Sequence, residues 1–172
     1  MELKQYNPKW KIAFRKESES ITKLLTGQKI AKIEHIGATS VLNCSTLGTI
    51  DILLSLQDHL DFITVKNILS KNGYEFIKKK SNDFEDLFFI RRNEKKQIVS
   101  TLHLVHYASI TYQQYILFKF YLEEGSNVLK YNKRREDALK AGKGDVKEYQ
   151  KDKIDYIKYV LNNFCRTSES KK

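Results

Sequence analysis

Asp51 sits inside the apolar run Ile50-Asp51-Ile52-Leu53-Leu54. A carboxylate in such a run is costly to bury unless a cation or a hydrogen-bond donor pairs with it. Period-two alternation sets Asp51, Leu53 and Ser55 on one strand face and Ile50, Ile52 and Leu54 on the other. Asp51 therefore reads either as a solvated strand-edge carboxylate or as a ligand for a hard cation such as Mg²⁺, which prefers oxygen donors. Metal-assisted phosphoryl chemistry generally uses at least two such ligands. Leu53 stands at i+2, so a second carboxylate has to come from a neighbouring strand, with Asp83, Glu85 and Asp86 as candidates.

Upstream, Gly37-Ala38-Thr39-Ser40 follows an apolar strand that ends at His35 and Ile36. Small and hydroxyl-bearing residues let backbone N–H groups approach a phosphate. The same residues also make an ordinary turn or helix N-cap. His103 lies within Thr101-Leu102-His103-Leu104-Val105. It and His35 read either as hydrogen-bonded core histidines or as ligands, with no paired-histidine metal spacing to decide. Cys44 has no accompanying oxyanion motif, and Cys44 and Cys165 are too few and too far apart for a disulfide framework.

The elements that must position these residues follow from periodicity. Trp10, Phe14, Ile21, Leu24 and Leu25 recur at helical spacing, with Pro8 at the start and Gly27 at the stop. Ile30–Ile36 and Ile50–Leu56 are strands on either side of a small-residue loop. Residues 57–72 form a helix closed by Gly73. Three strands follow, around Tyr74 and Phe76, at Leu87–Ile90 and at Ile98–Tyr107, with a hairpin turn over residues 91–96. In the last strand Leu102, Leu104 and His106 face away from Thr101, His103 and Val105. From Thr111 onward the pattern is helical, with Gly125 separating two helices and Gly142 and Gly144 breaking the second. A helix over Val146–Phe164 completes the chain. The order predicts an α+β domain, a small mixed β-sheet with packed helices and a C-terminal helical segment. One domain spans residues 1–166, its helical part covers 108–165, and 167–172 form a flexible tail.

The chain of 172 residues carries one proline, seven glycines and a net charge of +10. No apolar run approaches the roughly 18 residues of a membrane span. The polar N-terminus has no signal-peptide core, so a soluble, cytoplasmic protein without a membrane partner is expected. Residues 126–172 hold thirteen Lys/Arg against seven Asp/Glu, a balance of +6. Such a surface suits an anionic partner, either nucleic acid or a phosphorylated small molecule, and also simply keeps a small protein soluble. The interleaved Tyr131, Tyr149 and Tyr156 either stack on bases or turn to the core.

Tyr6-Asn7-Pro8-Lys9-Trp10, then His35-Ile36-Gly37-Ala38-Thr39-Ser40-Val41, then Ile50-Asp51-Ile52 resemble the N-terminal half of GrpB-like proteins. Leu102-His103-Leu104-Val105, Phe118-Lys119-Phe120-Tyr121-Leu122, Tyr131 with its basic run, and Tyr149 with Lys153 continue the resemblance to about Leu161. It implies a sheet of the nucleotidyltransferase type, in which a Gly-Ser turn holds a triphosphate and carboxylates hold Mg²⁺. An acceptor then attacks the α-phosphate and pyrophosphate leaves. Carried onto this chain, Asp51 is the metal ligand and a catalytic residue together with His103. His35, Gly37, Thr39, Ser40, Lys119, Tyr131, Lys133, Tyr149 and Lys153 are the substrate-binding candidates. The implied partner is a nucleoside triphosphate or another phosphorylated small molecule, with RNA as a further anionic partner. The chain departs from the family pattern at Ala38 (for Ser), Leu42-Asn43 (for Pro-Gly), Leu47-Gly48 (for Lys-Pro) and Lys119-Phe120 (for Arg-Asp). Two functions stay open: nucleotidyl transfer with substitutes for these residues, or a nucleotide- or RNA-binding module of the same fold without transfer activity.

Overall fold

The structure, a computed structural model, describes residues 2–58, 60–78, 86–142 and 145–169. The first helix, α1 (Lys9–Leu24), begins where Asn7 Oδ1 accepts a hydrogen bond from Lys9 N (2.9 Å). Strands β1 (Ile30–Ile36) and β2 (Ile50–Leu56) follow, joined through a single 3₁₀ turn at Ala38–Ser40. Then come α2 (Asp61–Lys71), β3 (Tyr74–Ile77), β4 (Asp86–Arg92) and β5 (Ile98–His106). Three helices close the chain: α3 (Ile110–Glu123), α4 (Asn127–Ala141) and α5 (Val146–Glu169). Both strands beside the candidate turn have the bounds that the sequence predicts. The helix read over 57–72 begins only at Asp61, and β4 runs two residues beyond Ile90. The last helix continues to Glu169, so residues 167–169 of the segment read as a tail are helical. Gly144 lies outside the described residues.

The five strands order as β1-β2-β5-β4-β3. β2 and β5 pair in parallel and the other neighbours pair antiparallel, so the sheet is mixed. Alternation along β2 and β5 divides the sheet into two faces. Ile52, Leu54, Leu56, Leu102 and Leu104 pack with Ile21 and Leu25 near the end of α1 and with Phe62, Val65 and Leu69 of α2. Each such side chain contributes about 1.5–3 kcal/mol by leaving water, so this face is the main source of stability. Glu17 ties α1 to the same face: its carboxylate accepts from Tyr74 Oη (2.7 Å), Ser100 Oγ (3.1 Å) and Arg91 Nη1 (2.6 Å).

The opposite face carries Ile36, Leu53 and Val105, covered by Tyr112, Tyr115 and Ile116 of α3. This is the Asp51 face. A third apolar cluster joins Val41 and Cys44 of the β1–β2 connection to Phe118, Leu122, Val128, Tyr131 and Val160 of α3, α4 and α5. The C-terminal helices are thus built onto the connection that precedes Asp51. Among the described residues, no helix is long and apolar enough to cross a membrane.

Candidate functional site

Register places Asp51 between Ile36 of β1 and Thr101 of β5. Its Oδ1 atom accepts a hydrogen bond from Thr101 Oγ1 at 2.6 Å. Its Oδ2 atom lies against Gly37, the first residue after β1. Gly37 has φ +69°, and a Cβ built there would stand 2.1 Å from Asp51 Oδ2. Only glycine combines that backbone with that approach. The turn and the carboxylate are therefore packed into one corner at the edge of the sheet.

The hydroxyls of the turn face inward. Ser40 Oγ donates to Gly37 O (2.7 Å). Thr39 is fully buried, and its Oγ1 donates to Thr49 O at 3.2 Å. That leaves Thr39 Oγ1 to accept from His35 Nε2, 2.9 Å away. His35 lies on the other side of β1 from Ile36, and its ring stacks on Phe14 with centroids 4.6 Å apart. Burial first, then the charges of Lys119 and Lys11, lower its pKa to about 4. A buried imidazole among cations is easier to keep neutral. His35, Thr39 and Ser40, read from the sequence as substrate contacts, thus brace the turn from within and leave Gly37 as the residue that meets Asp51. Lys119 is half-buried on α3, close enough for its charge to act on His35.

His103 belongs to the Asp51 face. Its Nδ1 stands 3.0 and 3.2 Å from the two carboxylate oxygens of Asp86 and 2.7 Å from Tyr115 Oη. Tyr115 Oη donates to Asp86 Oδ2 at 3.0 Å. Burial, followed by the charge of Asp86, pushes the Tyr115 hydroxyl far above its ordinary range, with the Asp51 charge adding to the effect. Tyr115 is therefore a proton donor at any working pH. Thr101 and Tyr115 are functional neighbours that sequence reasoning missed. Thr101 alternates with His103 in a strand whose parallel pairing with β2 could have flagged it. For Tyr115 no local signal existed.

The remaining tail residues have other tasks. Tyr131 and Tyr149 retain 2% and 1% of their exposure. Tyr131 packs edge-on to Phe118 and stacks with Tyr156, and Tyr149 Oη accepts from Arg135 Nε (2.7 Å). Both tyrosines are core: Tyr131 packs in the cluster that joins α3, α4 and α5, and Tyr149 of α5 is closed over by Arg135 of α4. Buried Arg135 also donates through Nη1 to Ser45 O. Asn132 donates to Asn43 O (2.8 Å) and accepts from Ser45 N (2.9 Å). α4 thereby clamps the loop between the turn and β2. Cys44 is enclosed by that clamp, and burial raises its thiol to about 11, which leaves it inert. Lys153 is half-buried near Cys44, while Lys133 is exposed on α4.

A family model described as GrpB protein matches residues 1–163 of the chain. The chain belongs to the GrpB family. It is 26% identical over 167 residues to UPF0157 protein YqkA of Bacillus subtilis (strain 168), covering 96% of this chain and 48% of YqkA. This GrpB-family chain thus spans about half the length of that relative. Its fold is that of the conserved protein GrpB from Enterococcus faecalis, with a TM-score of 0.81 at 20% identity, covering 97% of this chain and 99% of the other. Cid1, an RNA terminal uridylyl transferase, matches with a TM-score of 0.53 at 8% identity over 78% of this chain and 42% of Cid1. The GrpB-family fold of this chain is therefore nucleotidyltransferase-like.

The donor set at Asp51 tests the metal that this fold implies. Leu53 fills the next position on the same face, and Thr101 stands opposite Asp51 on β5. Asp86 is turned onto His103 and Tyr115. Asp83 and Glu85 lie outside the described residues. Among the described residues, no group of three or more His, Cys, Asp or Glu side chains is placed to hold a metal ion. A carboxylate pair for two ions does not fit here. A single carboxylate whose cation is completed by phosphate oxygens and water does.

Proposed function

We propose that the corner formed by Gly37 and Asp51 binds the phosphates of a nucleoside triphosphate or a related phosphorylated ligand, and that the chain transfers a nucleotidyl group from it to an acceptor. The observation that carries this reading is the fit of Gly37 against the Asp51 carboxylate, on a fold shared with a uridylyl transferase. The backbone of the turn meets the phosphates, and Lys119 adds a positive charge near the turn. Asp51, held by Thr101, is the carboxylate for a divalent cation shared with the ligand, Mg²⁺ in the family resemblance. When bound, that cation would neutralise charge on the phosphates. His103 stands on the same face, bonded to Asp86 and Tyr115.

The test is thermal stability with and without UTP or ATP in the presence of a divalent cation, since a ligand that binds only the folded state raises the melting temperature. A shift that Asp51→Asn removes supports the reading. Absence of a shift with any triphosphate contradicts it.

Leu53 favours a second reading, a nucleotide- or RNA-binding module without transfer, because it occupies the position of a second carboxylate. The exposed Lys133, Lys147, Lys151 and Lys158 of α4 and α5 would then supply RNA contacts. In that case RNA affinity falls steeply with salt and survives Asp51→Asn.

A further inference from the structure

Arg135 is a buried cation whose hydrogen bonds go to neutral oxygens. It is 4% exposed, its Nε donates to Tyr149 Oη (2.7 Å), and its Nη1 donates to the Ser45 carbonyl. The rings of Tyr131 and Tyr149 flank the guanidinium, their centroids 5.0 and 5.8 Å from its central carbon. The preceding residue, exposed Arg134, has Asp152 at 2.7 Å. Among the described residues, no carboxylate forms an ion pair with Arg135. A charge taken out of water is costly unless an opposite charge or a full set of hydrogen bonds meets it. The third nitrogen of the fork, Nη2, has no hydrogen-bond partner among the described residues and is not sealed from solvent.

A second cation stands beside it. Lys153 is half-buried on α5, one turn beyond Tyr149 on the same helix face. Burial raises the Cys44 thiol, and the charges of Arg135 and Lys153 both act against that rise. Both cations are therefore gathered around Cys44, and among the described residues Lys153 has no ion pair either. Like charges held together repel, and a bound anion relieves both the repulsion and the cost of burial.

We propose that Arg135 and Lys153 form an anion site for a single phosphate group, between α4, α5 and the loop at Cys44 and Ser45. The guanidinium fork matches phosphate oxygens, and Nη2 is the donor left to meet one. Two cations match the charge of about −1.5 to −2 that a phosphate monoester carries near pH 7, whereas a carboxylate offers a single charge. A phosphate bound here ties α5 to the clamp that α4 makes on the loop. The site goes beyond the corner reading, since it needs neither Asp51 nor a divalent cation.

The experiment titrates inorganic phosphate into the full chain at constant ionic strength, without nucleotide or divalent cation. It reads the melting temperature and the rate of thiol labelling at Cys44. A saturable rise in melting temperature and slower labelling of Cys44 are expected. Lys153→Gln should weaken phosphate at least about tenfold by both readouts, and Arg135→Lys, which keeps the charge and loses the fork, should weaken it as well. Asp51→Asn should leave both responses in place. Two sources share this chemistry, inorganic phosphate and a phosphate of a nucleotide. Displacement of phosphate by ATP assigns the site to the nucleotide, and phosphate binding that ATP leaves unchanged assigns it to the free ion. An equal response in Lys153→Gln would mark a general salt effect and overturn the proposal. Absence of a saturable response, or its loss in Asp51→Asn, would overturn it too. Failure of triphosphates with Mg²⁺ to stabilise the chain would contradict the corner reading and leave a positive phosphate result standing.

Discussion

Gly37 and Asp51 stand so close that a methyl group on the glycine would lie 2.1 Å from the aspartate Oδ2 atom. Gly37→Ala should therefore force Asp51 out of the corner while also straining a backbone at φ +69°. The expected cost is about 1–3 kcal/mol of stability. Urea denaturation reads that cost. The larger effect is expected on ligand-induced stabilisation, which should disappear in a variant that still folds.

Thr101 makes a separable contribution. Thr101→Val keeps the shape of the side chain and removes the hydrogen bond to Asp51 Oδ1. Loss of one charge-assisted bond at a half-buried carboxylate should cost about 1 kcal/mol or less. The triphosphate-induced melting shift should shrink, and Thr101→Ser should restore it. An unchanged shift in Thr101→Val would mean that Thr101 does not orient Asp51 for binding.

His35 gives the fold a pH dependence whose sign is fixed by its lowered pKa, about 4 against an ordinary 6.5. Between these values the unfolded chain takes up a proton that the folded chain refuses. The contribution is fully present above about pH 6.5 and is lost as pH falls through about 4. Its upper size is on the order of 3 kcal/mol. Denaturation of the wild type and of His35→Gln at pH 7 and pH 4.5 should show the smaller pH loss in the variant.

Arg135 holds the loop that leads to Asp51. It is 4% exposed and joins Tyr149 Oη to Ser45 O. Arg135→Ala should leave these partners unpaired and destabilise the chain by about 2–4 kcal/mol. It should also open the cover of Cys44, which is fully buried. Thiol labelling at pH 8 should be slow at Cys44 in the wild type and faster in the variant.

These outcomes separate what the chain states locally from what folding adds. The strand bounds at Ile30–Ile36 and Ile50–Leu56 were legible because apolar runs end at Gly27, Gly37 and Gly48. The faces of β5 were legible because its alternation is unbroken. The roles of His35 and Thr39 were not. Whether a polar strand residue braces a turn or meets a ligand depends on which side helix α1 covers, and Phe14 is 21 residues away in the chain. Tyr131 and Tyr149 look like stacking platforms beside lysines, yet both are buried, Tyr131 in the cluster that joins three helices and Tyr149 against Arg135. The partnership of Asp86, His103 and Tyr115 draws on β4, β5 and α3, and no spacing along the chain announces it.

The most direct measurement is the melting temperature of the wild type and of Asp51→Asn with a millimolar triphosphate and Mn²⁺ or Mg²⁺. The corner reading requires a rise in the wild type, of several degrees for a ligand well above its dissociation constant, and little or none in the variant. An equal rise in both proteins, or none in either, would contradict it.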